Sequence, residues 1–427
     1  MKEENRKIVF GIGNQKKNMA TYLMEHDENV ILVVDNDSEK QGKKINGRYI
    51  IQPVEKIMPY KDFEDVIIII TAHSVYEQMK QQLIDLGWDS NRIQIAILEN
   101  PFFGSFEYKC YINGIDVNNP KPTILNVELS GFCNCKCVYC PFHGKANLKE
   151  GHKGLMNVHT MKQVINQIKN ISTIKTVDTT GPGEIFINSN WYKLLQMLLD
   201  ETSIEEVYMY TNGMLLTEDN ARLIAHLHAK LIHVEVSIDG VSSIENDEYR
   251  IGAKYSEIKK NIYNAKKIFD KKNIQIIITN CYPGNLNDIE KDNFVVDSKK
   301  QIVPEYLKND FQNIPIVSQT TFFYGYDVQI DNLDKVKVRW KDKNNRCMNL
   351  FHRLAIAYDG GLLRCSCGQA GIETIGNVFE DNVLELWEND RKMNEARYHF
   401  IEGIDNIDFC SNCPSKGLGT YNVLVRK

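Results

Sequence analysis

The sequence predicts an α/β protein: a partial (β/α)6 parallel barrel core, preceded by a small Rossmann-like α/β domain and followed by a cysteine-rich extension. Three observations carry this expectation. Short apolar runs alternate with stretches of helical spacing, the pattern of parallel strands buried beneath crossover helices. The alternation is interrupted over 101–122 by a segment holding Gly104, Gly114, Asn118, Asn119, Pro120 and Pro122, a linker composition. The cysteines are clustered, with four from Cys133 to Cys140 and five from Cys347 to Cys413.

A chain of 427 residues allows two to four domains, and we divide it at 1–100, 101–122, 123–320 and 321–427. The balance of 43% hydrophobic and 25% charged residues is that of a globular protein with ample core. A net charge of −5 opposes a duplex-coating nucleic-acid binder. No apolar run approaches the roughly 18 residues of a membrane span, and the mixed charges of Met1–Lys7 lead into no signal-peptide stretch. The expectation is a cytoplasmic chain with no membrane and no nucleic-acid partner. Eleven cysteines, an odd number in a long chain, point to metal in place of a disulfide scaffold.

The elements follow in order. Ile8–Phe10, Val30–Val34, Val66–Ile70 and Ile93–Ile97 read as buried parallel strands, with a helix over 74–86. Gly11-Ile-Gly13-Asn14 after the first strand and Asp35 at the end of the second have the layout of a dinucleotide fingerprint. Lys16 stands where its third glycine belongs, which favours a Rossmann-like fold with another ligand, such as a sugar or nucleotide, or with none, over a nicotinamide site. From Thr123, strands are expected at Ile124–Ser130, Thr176–Thr180, Val207–Thr211, Ile232–Ile238, Ile274–Asn280 and Ile314–Gln319. Between them Met161, Val164, Ile165 and Ile168 share a helix face, as do Trp191, Leu194, Leu195 and Leu198, and Tyr255, Ile258, Ile262, Ala265 and Phe269. Thr217 before Glu218 and Asp219 is a helix start. Between Cys281 and Ile314 no helix can be placed. One further helix is expected near Val383–Met393. Lysines 259, 260, 266, 267, 271 and 272 read as a solvated helix face.

Cys133, Cys137 and Cys140 follow the first core strand with C-x3-C-x2-C spacing. Three thiolates on one loop can hold three irons of a [4Fe–4S] cluster and leave the fourth open, as a catalytic metal requires. Alone, Cys410-x2-Cys413 with Cys365 and Cys347 would suit zinc as well as iron. Cys110, Cys135 and Cys281 read as ordinary small buried residues, and His143 and His152 as structural flanks of the loop.

The cysteine spacing, with Tyr139 before the last cysteine, resembles the radical S-adenosylmethionine (SAM) enzymes. Gly181-Pro-Gly183-Glu184 resembles the family segment that contacts the SAM amino group, and Thr211-Asn212-Gly213 follows the third strand. Ser237 and Asp239 lie where family members contact the SAM ribose, and Arg250 where an arginine approaches the SAM carboxylate. Cys347, Cys365, Ile375-Gly-Asn-Val378 and Cys410-Ser-Asn-Cys413 resemble a SPASM-type extension, which implies an auxiliary [4Fe–4S] cluster on Cys347, Cys365, Cys410 and Cys413, with Cys367 an alternative to Cys365.

The resemblance implies reductive SAM cleavage, hydrogen abstraction from substrate and a reducing partner such as flavodoxin or ferredoxin. No acid or base is assigned. Val33-Val-Asp-Asn-Asp37 and Gly42–Gly47 resemble small domains preceding sugar-nucleotide-modifying enzymes. The substrate expected is therefore a carbohydrate or nucleotide-sugar. The alternatives are maturation of a peptide or protein side chain, and a non-catalytic iron–sulfur or zinc protein.

Overall fold

The computed structural model describes residues 5–13, 17–72, 75–96, 110–111, 114–138, 140, 142–144, 153–270, 272–283, 294–295, 303–321, 336–340, 348–365, 374–402 and 422–426. The chain forms two compact units, Met1–Asn119 and Pro120–Lys427.

In the first unit, β1 (Arg6–Phe10), α1 (Met19–His26), β2 (Val30–Val34), the hairpin β3 (Lys44–Ile45) and β4 (Tyr49–Ile50), β5 (Val66–Ile70), α2 (Tyr76–Asp85) and β6 (Ile93–Ile95) follow in order. The parallel sheet runs β2-β1-β5-β6. Alternate residues of its strands enter different cores: Val9, Val33, Ile67 and Ile69 one, and Ile8, Phe10, Val34, Ile68 and Ile70 the other. This explains the unbroken apolar runs, since a strand covered on both faces has no polar side. Gly11 and Gly13 have φ of 88° and 66°, a region glycine enters freely. Their turn brings the Ile12 N–H to Asp35 Oδ2 at 2.8 Å, and Lys40 lies 3.7 Å from the same oxygen. The fingerprint acid is thus tied to its own loop. Lys16 and Ile97 lie outside the described residues.

The second unit begins with β7 (Ile124–Val127), β8 (Lys136–Cys137), α3 (Val158–Ile168), β9 (Thr176–Asp178), α4 (Trp191–Glu201), β10 (Glu206–Thr211), α5 (Glu218–Ile224) and β11 (Leu231–Asp239). It continues with α6 (Ser243–Tyr249), β12 (Arg250–Ile251), α7 (Tyr255–Phe269), β13 (Ile274–Pro283), β14 (Phe294–Val295), α8 (Glu305–Asp310), β15 (Ile316–Thr321) and β16 (Val336–Trp340). The last elements are α9 (Asn349–His352), β17 (Arg353–Ile356), β18 (Gly361–Leu363), β19 (Thr374–Asn377), α10 (Val383–Asn389), α11 (Arg391–Glu402) and β20 (Asn422–Arg426). The expected core strands form the parallel array β15-β13-β11-β10-β9-β7, and β17, β18 and β19 extend it. The array runs from β15 at one edge to β19 at the other, so it is an open sheet.

Thr217 caps α5 as expected, its side chain accepting from the Asn220 N–H. The segment without a placeable helix contains α8, which starts directly after Pro304. The single helix expected near Val383–Met393 is two, because Asp390 ends α10 and its carboxylate then accepts the Met393 N–H at 2.8 Å, starting α11. The lysine face is only partly solvated: Lys259 pairs with Asp310 at 2.7 Å and Lys266 reaches the Asn313 carbonyl. Lys271 lies outside the described residues.

The helices cover one face of this sheet. Leu125, Val127, Val177, Val207, Met209, Val234 and Val236 share a core with Met161, Leu194, Leu198, Ile258 and Ile262. The second face is polar. Among the described residues no helix is long and apolar enough to cross a membrane.

Candidate metal and cofactor site

The cysteine loop leaves β7 and is held from several directions. Gly131 N–H donates to the Gly154 carbonyl, and Glu184 N–H to the Phe132 carbonyl at 2.7 Å. β8 pairs antiparallel with β12, placing Arg250 opposite Cys137. A side chain at Gly183 would collide with the carbonyl oxygens of Phe132 and Ser130, so only glycine lets this loop press onto the cysteine loop. Gly181 packs against Glu128, where an added Cβ would lie 3.2 Å from Cγ. The His143 ring is half-buried, and burial lowers its pKa against the pull of the Pro182 and Gly131 backbone.

Donors converge on the sulfurs. Cys133 Sγ accepts from Cys135 N–H at 3.4 Å and lies 3.8 Å from Asn212 Nδ2. Arg250 Nη1 is 4.0 Å from Cys137 Sγ, and His143 N–H is 3.4 Å from Cys140 Sγ. Cys135, buried as expected, directs its own thiol at Cys133; with the backbone N–H and Asn212 this brings the Cys133 thiol down to about 6. Burial instead pushes Cys137 up to about 11 and raises Cys140.

Beyond the loop, Glu184 is 2% exposed and accepts from Thr211 Oγ1 and Asn212 N–H, both at 2.8 Å. Burial raises its carboxyl to about 7. Each oxygen retains acceptor capacity for a further donor. Asn212 Nδ2 also donates to Asn134 Oδ1 at 2.7 Å. Asp239, with no exposed surface, forms an ion pair with Arg250 at 2.5 Å. Ser237 is half-buried on the same strand, opposite Thr279.

The structure thus brings Cys133, Cys137, Cys140, Gly183, Glu184, Asn212, Asp239 and Arg250 to one end of the sheet. Cys365 is buried just after β18. Tyr139, His152, Cys347, Cys367, Cys410 and Cys413 lie outside the described residues, as does the Cys281 side chain. Sequence reasoning did not find the β8–β12 pairing, the Asp239–Arg250 ion pair or Asn134, and no local signal announces them, because each joins segments far apart in the chain.

A family model described as "Radical SAM superfamily" matches residues 127–292, and "Iron-sulfur cluster-binding domain" (SPASM) matches 347–414. The chain carries a radical SAM domain and a SPASM iron–sulfur domain. Its first unit matches "C2185-like, N-terminal" over 3–94.

Among curated proteins this chain is similar to GTP 3′,8-cyclases. That of Petrotoga mobilis is 26% identical over 171 residues, 40% of this chain and 50% of that one. That of Clostridium botulinum strain Hall is 27% identical over 186 residues, 44% and 56%. The chain spans about half the length of the curated relatives it matches. Similar solved structures include BtrN with AdoMet and 2-DOIA (18% identity, TM-score 0.43, covering 69% of this chain and 94% of that one). Another is SAM-bound SuiB of Streptococcus suis (16%, TM-score 0.46, covering 76% and 78%).

The radical SAM domain implies a [4Fe–4S] cluster with SAM, and the SPASM domain implies auxiliary cluster binding. The residues present fit the first group. Three thiols share one loop, N–H donors and a guanidinium face their sulfurs, and a buried acid anchors the adjoining strand end. Among the described residues no three ligating side chains converge on one ion-sized point.

Proposed function

We propose that this chain reductively cleaves SAM at a [4Fe–4S] cluster on Cys133, Cys137 and Cys140 and removes a hydrogen atom from a small polar substrate, a carbohydrate or nucleotide-sugar. One observation carries the reading: Asn212 from the end of β10 and Arg250 from β12 reach the sulfurs of Cys133 and Cys137 on the same loop. When bound, the cluster and SAM supply the 5′-deoxyadenosyl radical that performs the abstraction. The protein's own residues supply position. Glu184 holds the end of β10 against the cysteine loop and keeps acceptor capacity for the SAM amino group. Arg250, oriented by Asp239, offers its guanidinium toward the SAM carboxylate, and Ser237 a hydroxyl toward the ribose. Gly181 and Gly183 let the backbone approach closely, and Tyr139 adjoins Cys140 in sequence.

In the same reading the SPASM cysteines Cys347, Cys365, Cys410 and Cys413 would hold a second [4Fe–4S] cluster, which would supply an electron acceptor for a two-electron oxidation of the substrate. A flavodoxin or ferredoxin supplies the first electron. The test is 5′-deoxyadenosine formation by anaerobically reconstituted, reduced protein. Production lost in Cys133→Ala supports the reading, and no production from fully loaded protein that binds SAM overturns it.

A further inference from the structure

Thr211-Asn212-Gly213 closes β10 beside the cysteine loop, and its three residues do different work. Thr211 Oγ1 donates to Glu184 Oε1 at 2.8 Å. Gly213 has φ of 79°, and a Cβ there would lie 2.8 Å from both Val236 and Ile258, so the chain turns here only with glycine. The turn leaves Asn212 buried against the loop.

The Asn212 amide is fully committed. Its Oδ1 accepts from the Met214 N–H at 3.0 Å, which fixes the orientation of the amide and turns Nδ2 to the cysteine loop. A carboxamide nitrogen has two hydrogens. One goes to Asn134 Oδ1 at 2.7 Å, and the other faces Cys133 Sγ at 3.8 Å. The backbone N–H of the same residue donates to Glu184 Oε2 at 2.8 Å. Asn212 therefore stands between two acidic groups, a buried carboxyl and a thiol, and offers an N–H to each.

The other donors to the sulfurs differ in origin. The Cys135 N–H on Cys133 and the His143 N–H on Cys140 belong to the backbone of the loop itself, so they come with the loop's fold. Arg250 lies 4.0 Å from Cys137 Sγ and is shared with Asp239. Of these donors Asn212 is the neutral side chain, and it comes from the strand end that holds Glu184. Adding an electron to an iron–sulfur cluster adds negative charge, which an N–H aimed at a sulfur offsets. Hydrogen bonds to the sulfurs are accordingly among the determinants of cluster potential.

We propose that Asn212 sets the reduction potential of the core cluster, its second Nδ2 hydrogen on Cys133 stabilising the reduced state. The inference rests on the proposed [4Fe–4S] cluster and deepens that reading by assigning the residue that governs its reduction.

The experiment is a redox titration of the reconstituted full chain without SAM, followed by electron paramagnetic resonance. The core signal is the one absent from Cys133→Ala. Asn212→Asp is nearly isosteric and exchanges the donor for an acidic oxygen, whereas Asn212→Ala removes the donor alone. The reduction equilibrium is expected to fall at least about tenfold in Asn212→Asp, about 59 mV for one electron, and by a smaller factor in Asn212→Ala. That order is electrostatic, because a purely structural role would make alanine the worse substitution. A smaller fall in Asn212→Asp, or an equal or larger fall in Asn212→Ala, overturns the assignment. Where a variant fails to load, core iron per chain is the readout. Iron lost only in Asn212→Asp supports the assignment, and iron lost in Asn212→Ala, alone or with Asn212→Asp, overturns it. A wild-type chain without core iron overturns the proposed function and this inference with it. A loaded wild-type cluster that binds SAM and forms no 5′-deoxyadenosine overturns the proposed function alone, and a core potential indifferent to Asn212 overturns this inference alone.

Discussion

The two parallel sheets use the same strand-and-helix grammar to opposite ends. In the first unit β1 and β5 alternate between two apolar clusters, so the sheet is closed by packing on both faces. In the second unit Val234 and Val236 enter an apolar core, while Glu235 and Asp239 on the same strand point the other way. A sheet buried on both faces has room for a ligand only at its strand ends. A sheet with one polar face can hold chemistry along its length as well, at the cost of burying groups that need partners. In the first unit even the strand-end acid is occupied, since Asp35 accepts from Ile12.

That contrast can be broken or sharpened by measurement. The largest effect should come from the cysteine loop: Cys137→Ala is expected to lose the core cluster outright, read as iron per chain. Unchanged iron would remove the cluster assignment. Next are aliphatic deletions in the two sheets. Ile68→Ala in the first and Ile238→Ala in the second should each cost about 2–5 kcal/mol, and urea unfolding should show the loss in the transition of the unit mutated. A loss shared between both transitions would mean the units do not unfold separately.

A pH effect should follow from the strand that extends the second sheet. His352 precedes β17, lies beside Thr123 Oγ1 at 3.3 Å, and burial lowers its pKa from 6.5 to about 3. The unfolded chain therefore binds a proton in this range that the folded chain does not. Stability is full above pH 6.5 and declines as pH falls toward 3, by at most about 1.4 kcal/mol per pH unit. His352→Phe should flatten that slope in acid titrations of the second unit, and a wild-type slope in the variant would assign it to other groups. The smallest effect is expected at Ser237→Ala. Stability should change by no more than about 0.5 kcal/mol, while SAM affinity falls, because the residue serves the polar face and not the core. A larger stability loss with unchanged SAM binding would reverse that reading.

Much of this was legible in the sequence. Buried parallel strands have short, dense apolar runs, and helices carry their core face at fixed spacing, so β2, β5, β10, α3 and α7 could be read locally. The cysteine loop was equally legible, because its three thiols lie within eight residues. Sequence did not reveal that β17 joins the parallel array beside β7, because that pairing spans more than 200 residues. Nor did it separate α10 from α11, where one carboxylate ends a helix and starts the next.

The sequence by itself determined the alternation of strands and helices, the C-x3-C-x2-C loop and the resemblance to radical SAM enzymes, because periodicity and short motif spacing are properties of neighbouring residues. Only the tertiary structure decided that Arg250 meets both Asp239 and Cys137, and that Asn126, Asp178, Tyr208 and His233 form one row. Strand register sets those neighbours, and register is fixed by packing across the whole sheet.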